Sequence, residues 1–187
     1  LLIWCREKTT MLQERKLERN IPSLKKVLED INQLRNHDVP DKQKEKQRLI
    51  VLYSHLERYF KTVGESSLEL DLRPESLELF WYRLITALAD KEHELHLHIQ
   101  HLQSLEMLAE KVERDVEQFD QKITDISFRI SNDGARIDKI NRLDARTIVE
   151  SIETEIALIE KPIDQMVQDC HTLLNENHVN SKDLYSA

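Results

Sequence analysis

Residues 77–130 decide the fold, and they read LELFWYRLITALADKEHELHLHIQHLQSLEMLAEKVERDVEQFDQKITDISFRI. Apolar side chains recur three and four residues apart along this stretch, which is the spacing of one face of an α-helix. Only Lys91 and His98 interrupt this apolar seam, and neither proline nor glycine occurs from Glu75 to Asp133. The pattern predicts one uninterrupted helix of at least about 55 residues, roughly 80 Å long.

Helical patterns before this stretch supply candidate partners for the seam. The first runs from Leu1 to about Leu17 and breaks at residues 20–23, which read NIPS. The second runs from Leu24 to Val63. A kink or short loop is expected at Pro40, because proline lacks the backbone donor that a helix interior uses. Gly64 is expected to end this second pattern, as glycine does at helix C-termini.

The remaining elements are placed by their breakers and caps. Residues 65–73 are expected to form a loop, and Pro74 then suits the first turn of the long helix. Asp144 is expected to cap a further helix, in which Pro162 should cause a kink or break one turn of hydrogen bonds. Residues 181–187 resemble the start of another helix.

The composition favours narrow helical cores over a broad globular interior. Of the 187 residues, 5% are aromatic and 33% charged, with two glycines and four prolines, which is typical of all-α proteins. The formal net charge of -8 argues against nucleic acid, because phosphate binding needs clustered Lys and Arg. The apolar stretches are too short for a membrane span. We therefore expect no nucleic-acid partner and no direct membrane insertion.

Cys5 and Cys170 are the two cysteines of the sequence. Two isolated thiols make neither a disulfide framework nor a zinc site, so a reducing, cytoplasmic setting is expected. Leu1 opens directly onto an apolar pattern, and no signal peptide is visible. We therefore expect the chain to be a fragment of a larger protein.

Together these elements predict an all-α fold of two three-helix bundles in series that share the long helix. Residues 1–100 form the first bundle, and residues 101–187 form a second bundle whose third helix is mostly missing. Such an incomplete bundle exposes an apolar face that another molecule is expected to cover. The predicted structural core consists of Trp4, Trp81, Leu84, Leu88, Phe119, Ile152 and Ile156.

Three features could carry a binding site, and each also has a structural explanation. Four histidines lie within residues 93–101, but a helix spreads them over several faces, so no metal site is predicted. His98 lies on the seam, where a partly buried polar residue can fix the register. Trp4 and Trp81 are predicted as core rather than as ligand-binding aromatics. The basic run 42–48, KQKEKQR, could dock an acidic partner, but it also fits the solvated face of a helix start.

No phosphate-binding loop, nucleophile elbow or ligand triad is present in the sequence. The chain is therefore not expected to be an enzyme, and no catalytic residue or cofactor is predicted. A metal-dependent helical enzyme that uses the histidines is the alternative from another functional class.

The sequence resembles spectrin repeats, in particular those of alpha-actinin, beta-spectrin and the plakins. The matching stretches are LLIW (1–4), VPDK (39–42), FWYRL (80–84) and LQSLEMLAEK (102–111). In such repeats a tryptophan of the first helix packs against the third helix, and Trp4 and Trp81 match those positions. The second repeat departs from the pattern, since Phe119 is the aromatic residue nearest to where a tryptophan is expected.

Residues 148–160 and 169–173 are most similar to the plakin and spectraplakin cytolinkers. This resemblance implies a cytoskeletal linker at cell junctions such as hemidesmosomes, with repeats that act as rigid spacers. It also implies docking of the cytoplasmic tails of adhesion receptors or of junction proteins. Actin and other filaments would be bound through other regions of the parent protein. A rod spacer of an actin cross-linker of the alpha-actinin or beta-spectrin type is the alternative.

Overall fold

The computed structural model describes residues 1–64, 73–137 and 142–178, and within these ranges the chain contains no strand. Five α-helices follow in these ranges: α1 (Leu2–Glu14), α2 (Ile21–Gln33), α3 (Val39–Val63), α4 (Pro74–Ile137) and α5 (Arg142–Asn175). A π-helical turn, Leu34–Asp38, joins α2 to α3. The predicted all-α helical bundle fold is confirmed.

The chain divides into two compact units, and the boundary falls inside α4. Unit 1 comprises Leu1–Leu102, and unit 2 comprises Gln103–Ala187. The interpretation of residues 1–100 and 101–187 as two spectrin repeats stays a prediction.

Unit 1 has a core to which three helical segments contribute. The buried apolar side chains come from α1, from α2 with its π turn, and from the first part of α4. Their three- and four-residue spacing on each helix places them on one face, which buries them against the other two segments. They are Cys5, Leu12, Leu24, Ile31, Leu34, Trp81, Leu84, Leu88, Leu95 and Ile99.

Unit 2 has a smaller core, formed where α4 and α5 meet. The buried cluster contains Leu105, Ala109 and Val112 of α4 together with Cys170 and Leu173 of α5. Leu108, Val116 and Met166 pack against this cluster and are partly buried.

The long helix predicted from the apolar seam is confirmed. α4 has 64 residues, and Pro74 is its first residue. Proline fits there because the first helical N–H groups have no partner within the helix. At the end of α3, Gly64 has the left-handed φ of 75° and its N–H donates to the Phe60 carbonyl at 3.0 Å, as predicted for a helix C-terminus.

The break between α1 and α2 lies where the sequence placed it, although α1 ends at Glu14 rather than near Leu17. Asn20 caps α2, because its side-chain oxygen accepts a hydrogen bond from the Ser23 N–H at 3.4 Å. Pro22 lies in the first turn of α2, where its missing donor has no cost.

The short loop expected at Pro40 is wrong, and the alternative expectation of a kink there stays a prediction. The chain stays helical from α2 through the π turn into α3, and Pro40 lies in the first turn of α3. The Val39 N–H donates to the Leu34 carbonyl, five residues back, which is the hydrogen bond of a π turn. The wider turn shifts the hydrogen-bond register, so a residue without an N–H is accommodated without a loop.

Two further expectations concern α5. The helix begins at Arg142, so Asp144 lies in its first turn and the prediction of Asp144 as the N-cap is wrong. Pro162 lies inside α5, which continues to Asn175. The missing N–H of Pro162 removes only the hydrogen bond to the carbonyl four residues back. The predicted loop at 65–72 and the predicted helix start at 181–187 lie outside the described residues.

The two glycines offer a matched pair for measuring backbone conformation. An added Cβ meets no atom within 4 Å at either Gly64 or Gly134, so an alanine substitution changes the backbone preference alone. Gly64→Ala should cost about 1 kcal/mol, because an L-residue disfavours a positive φ. Gly134→Ala, inside α4, should gain up to about 1 kcal/mol of helix propensity.

Chemical denaturation measures both effects. Tryptophan fluorescence reports on unit 1, which contains both tryptophans, and hydrogen exchange of α4 peptides reports on Gly134. A neutral Gly64→Ala variant would contradict the left-handed helix end.

Candidate functional site

The predicted core residues of unit 1 lie together in its interior. Trp81, Leu84 and Leu88 are buried, and Trp4 is half-buried against the same cluster. The two indole rings stack with centroids 6.4 Å apart and planes inclined by 29°. Trp4 and Trp81 therefore join α1 to α4 as packing residues, at positions that the helical spacing had marked.

Unit 2 places its predicted core residues differently. Phe119 and Ile152 are half-buried, whereas Ile156 is 51% exposed. The expectation that Ile156 is a core residue is corrected. A seam position is buried only when partner helices cover both of its sides, and in the described part of unit 2 the seam of α5 has α4 alone as its partner.

Lys46 on α3 is the central polar residue of unit 1. Its side chain is only 9% exposed, and its Nζ lies 2.6 Å from Glu78 Oε2 on α4. The same ammonium lies 5.2 Å from the centroid of the Trp81 ring, within reach of a cation–π contact. Trp4, Trp81, Lys46 and Glu78, here called the tryptophan–lysine cluster, thus connect α1, α3 and α4.

The basic run at 42–48 is largely neutralised by its own helix. Lys42 bonds Glu45 at 2.7 Å, and Lys44 bonds Asp41 at 2.9 Å. The hydrogen bond from Lys44 lowers the pKa of Asp41, and that from Lys42 lowers the pKa of Glu45. With Lys46 buried as well, this run offers little free positive charge to an acidic partner.

Sequence reasoning missed Lys46, although a signal was present. Val39, Lys42, Lys46, Leu49 and Tyr53 keep the three-four rhythm of a helix face, so Lys46 occupies a seam position. The same kind of signal, a polar residue at a seam position, marks Lys91 and His98 on α4.

The first interruption of the α4 seam is Lys91, whose side chain is 8% exposed and whose Nζ bonds Glu94 at 2.9 Å. The second is His98, which is half-buried. Its Nε2 is buried and has no hydrogen-bond partner among the described residues. No hydrogen bond through Nε2 to a described residue therefore holds His98 in place.

The other histidines of residues 93–101 are exposed on α4. In the described ranges, no three or more His, Cys, Asp or Glu side chains come together in a way that could hold a metal ion. The role of His98 in fixing the register stays a prediction, and His93, His96 and His101 are exposed.

Ion pairs between α4 and α5 bring together the two helices of unit 2. Lys111 Nζ lies 2.7 Å from Asp169 Oδ2, and Arg129 lies 2.5 Å from Glu155. Burial alone would raise the pKa of Asp169, but hydrogen bonds from Lys111 and Gln165 outweigh it and lower that pKa. The hydrogen bond from Arg129 lowers the pKa of Glu155 in the same direction.

Apolar side chains also reach the surface of each unit. In unit 1 a groove of about 390 Å³ opens between α3 and the start of α1 and α4, and Leu2, Leu52, Leu56 and Leu77 are among its lining residues. Among the described residues of unit 2, the apolar side chains with the highest exposed fractions are Leu158 at 71% and Phe128 at 67%. In the portions of the chain that are described, no helix is both long and apolar enough to cross a membrane.

Comparisons with known proteins find relatives of low identity. No family model matches the chain. The chain is 22% identical over 184 residues to human microtubule-actin cross-linking factor 1, isoforms 1/2/3/4/5. This covers 98% of the chain and 2% of the human protein. It is 23% identical over 138 residues to the rat microtubule-actin cross-linking factor 1, which covers 74% of the chain.

The chain thus spans about 2% of the length of the curated relatives it matches. At this level of identity the similarity indicates a segment related to cytoskeletal linker proteins.

The contribution of the tryptophan–lysine cluster can be measured by substitution. Glu78→Gln leaves the buried Lys46 ammonium without its carboxylate, and we expect a loss of about 1–2 kcal/mol of unfolding free energy. This is less than the 3–5 kcal/mol typical of a fully buried pair, because Glu78 is half exposed. Adding Lys46→Met to Glu78→Gln should recover most of the loss.

Denaturation followed by tryptophan fluorescence is the appropriate measurement, since Lys46 lies 5.2 Å from the Trp81 ring and Trp4 stacks on Trp81. Glu7→Gln, an exposed acid of α1, is the matched control and should change stability by less than about 0.5 kcal/mol. Equal effects of Glu78→Gln and Glu7→Gln would show that the Lys46–Glu78 contact contributes nothing.

Unit 2 should lose stability in acid through Asp169. Because its pKa is lowered in the folded state, its contribution is complete above the unfolded value of about 3.9. That contribution disappears as the pH falls through the lower folded value. Hydrogen exchange of α5 peptides should therefore show weaker protection at pH 3 than at pH 6.

Asp169→Asn should reduce this pH dependence. Asp164→Asn, at an exposed acid of the same helix, should leave it intact. The same acid sensitivity in Asp169→Asn as in the unaltered chain would contradict the assignment to Asp169.

Proposed function

We propose that this chain is a structural segment of a cytoskeletal linker protein, which acts as a rigid spacer and as a docking surface for adhesion or junction proteins. Its parent would act in the cytoplasm, on the cytoskeleton and at cell junctions. Filaments would bind other regions of that parent, whereas this segment would bind the cytoplasmic tails of adhesion receptors or junction proteins.

The similarity to microtubule-actin cross-linking factor 1 supports the linker part of the proposal. A match to nearly the whole of this chain and a very small part of the relative is the pattern expected of one module in a long protein. The name of that relative states that it cross-links microtubules and actin, and a spacer module is a component that such a protein needs.

The observation that carries the spacer part is α4. This single helix contains buried seam residues of unit 1, such as Leu88 and Leu95, and buried seam residues of unit 2, such as Leu105 and Val112. A helix without an internal proline keeps its backbone hydrogen bonds, and bending it sharply would break some of them. A segment built on such a helix resists bending, which is the property that a spacer needs.

The docking part is supported by surfaces that the chain leaves uncovered. Soluble proteins seldom expose clustered apolar side chains without a binding role, and both units carry such clusters. The proposal includes no catalysis: the buried polar residues Lys46 and Lys91 each have a carboxylate partner and a place in the packing.

Spin labels on α4 test the spacer part. Ala89→Cys and Gln121→Cys place labels 32 residues apart on its exposed face, so a continuous helix predicts one narrow distance near 48 Å at about 1.5 Å per residue. The native thiols interfere little at neutral pH, because burial raises the pKa of Cys5 and of Cys170. A broad or shorter distance distribution would refute the rigid spacer.

The same labels test the alternative, a rod spacer of the alpha-actinin or beta-spectrin type that pairs with a second copy. The exposed Phe128 and Leu158 of unit 2 favour this alternative, because a second chain could cover them. A sample labelled only at residue 121 should show no distance if the chain is a monomer. A defined distance in that sample would favour the paired cross-linker.

A further inference from the structure

A polar groove in unit 1 is lined by residues of α1 and α4. It has a volume of about 550 Å³, and Arg6, Thr10 and Gln13 of α1 line it together with Phe80 and Arg83 of α4. Unlike the groove next to α3, it is lined mainly by side chains that can form hydrogen bonds, together with the aromatic rings of Phe80 and Tyr82.

Both arginines of this groove are held against the same ring. The guanidinium carbon of Arg6 lies 4.3 Å from the centroid of Phe80, and that of Arg83 lies 5.6 Å from it. Stacking on an aromatic face occupies the flat side of a guanidinium and leaves its N–H groups free at the edge. Phe80 thus orients the N–H groups of both guanidinium groups at one end of the groove.

Neither arginine has a carboxylate partner among the described residues, a property that they share with exposed arginines such as Arg48 and Arg58 of α3; what distinguishes them is that one ring, Phe80, holds both. The chain carries a formal net charge of -8, and other basic side chains, such as Arg15, Arg35 and Lys111, pair with an acid. An oriented guanidinium without a partner is suited to bidentate binding of a carboxylate.

We propose that this groove binds an acidic peptide segment of a partner protein, with neighbouring carboxylates held by Arg6 and Arg83. The inference deepens the docking part of the proposed function and rests on it. Alternate residues of an extended peptide point to the same side and lie roughly 7 Å apart, so two acidic side chains of one short segment can reach both arginines that contact Phe80.

The rest of the groove fits a peptide as well. Thr10, Gln13 and Thr86 offer side-chain donors and acceptors for a peptide backbone, and Tyr82 beside them is 69% exposed. Asp90 lies at the other end, seven positions beyond Arg83 and so about 10 Å along α4. A carboxylate there disfavours a long polyanion, whereas a short acidic stretch bound at the arginine end avoids it.

Fluorescence anisotropy with a labelled hexaglutamate peptide tests the inference on the full 187-residue chain at about 0.15 M salt, where the screening length is about 8 Å. Arg6→Gln combined with Arg83→Gln should weaken binding by about tenfold or more, since two charge-assisted contacts are lost. Arg48→Gln combined with Arg58→Gln removes the same charge from exposed positions of α3 and is the matched control. That control should retain the affinity to within about twofold, because distant exposed charges are screened by salt.

Titration followed by NMR gives a readout that does not depend on the folding of a variant. Hexaglutamate should shift the backbone amide signals of Thr9, Thr10 and Thr86 in the unaltered chain, and a hexaglutamine peptide should not. These shifts together with the selective loss in the double arginine variant would support the inference.

Four outcomes would overturn it: no binding of hexaglutamate, equal binding of hexaglutamine, an equal loss of affinity in both double variants, or displacement of the peptide by an oligothymidylate or a phosphatidylserine vesicle at lower concentration. These failures leave the spin-label distance on α4 unchanged. Failure of this groove is therefore distinguishable from failure of the spacer function.

Discussion

The apolar seam of α4 is the constraint on which the rest of the structure depends. A helix with one continuous apolar face is stable in water only where other helices cover that face. In unit 1 the cover comes from α1 and α2, and side chains such as Leu84 and Leu95 are fully buried. In unit 2 the described cover is α5, and the buried part of the seam is confined to Leu105, Ala109 and Val112. Burial follows the number of partner helices rather than the hydrophobicity of the seam.

Polar residues on the packing faces add specificity to this arrangement. A seam made only of leucine and isoleucine tolerates sliding by one heptad, whereas a buried charge has to meet its partner. Lys46 reaches Glu78 on another helix and therefore fixes the position of α3 against α4. Lys91 pairs with Glu94 on its own helix, so this ion pair does not fix the position of another helix against α4. His98 leaves Nε2 unpaired, and the structure gives no compensating contact for it.

Periodicity predicted the parts of this fold that depend on local physics. The extent of α4, the end of α3 at Gly64 and the burial of Trp81 follow from spacing and from the preferences of single residues. The π turn before Pro40 was not predictable in this way, because it is one of several arrangements that accommodate a missing N–H, and packing decides among them. Ile156 has the spacing of a core residue, but spacing reports which face a side chain lies on and not whether that face is covered.

The candidate binding groove was less visible in the sequence than the fold, and the reason is physical. Arg6 and Arg83 lie far apart in the chain, and only the packing of α1 beside α4 brings them to the same ring. The basic run at 42–48 is the stronger signal of a site for an acidic partner in the sequence, yet each lysine in it forms an ion pair with a carboxylate of this chain. Charge available to a partner is what remains after internal pairing, and this leaves the two arginines held by Phe80 available where the three lysines of the α3 run are paired.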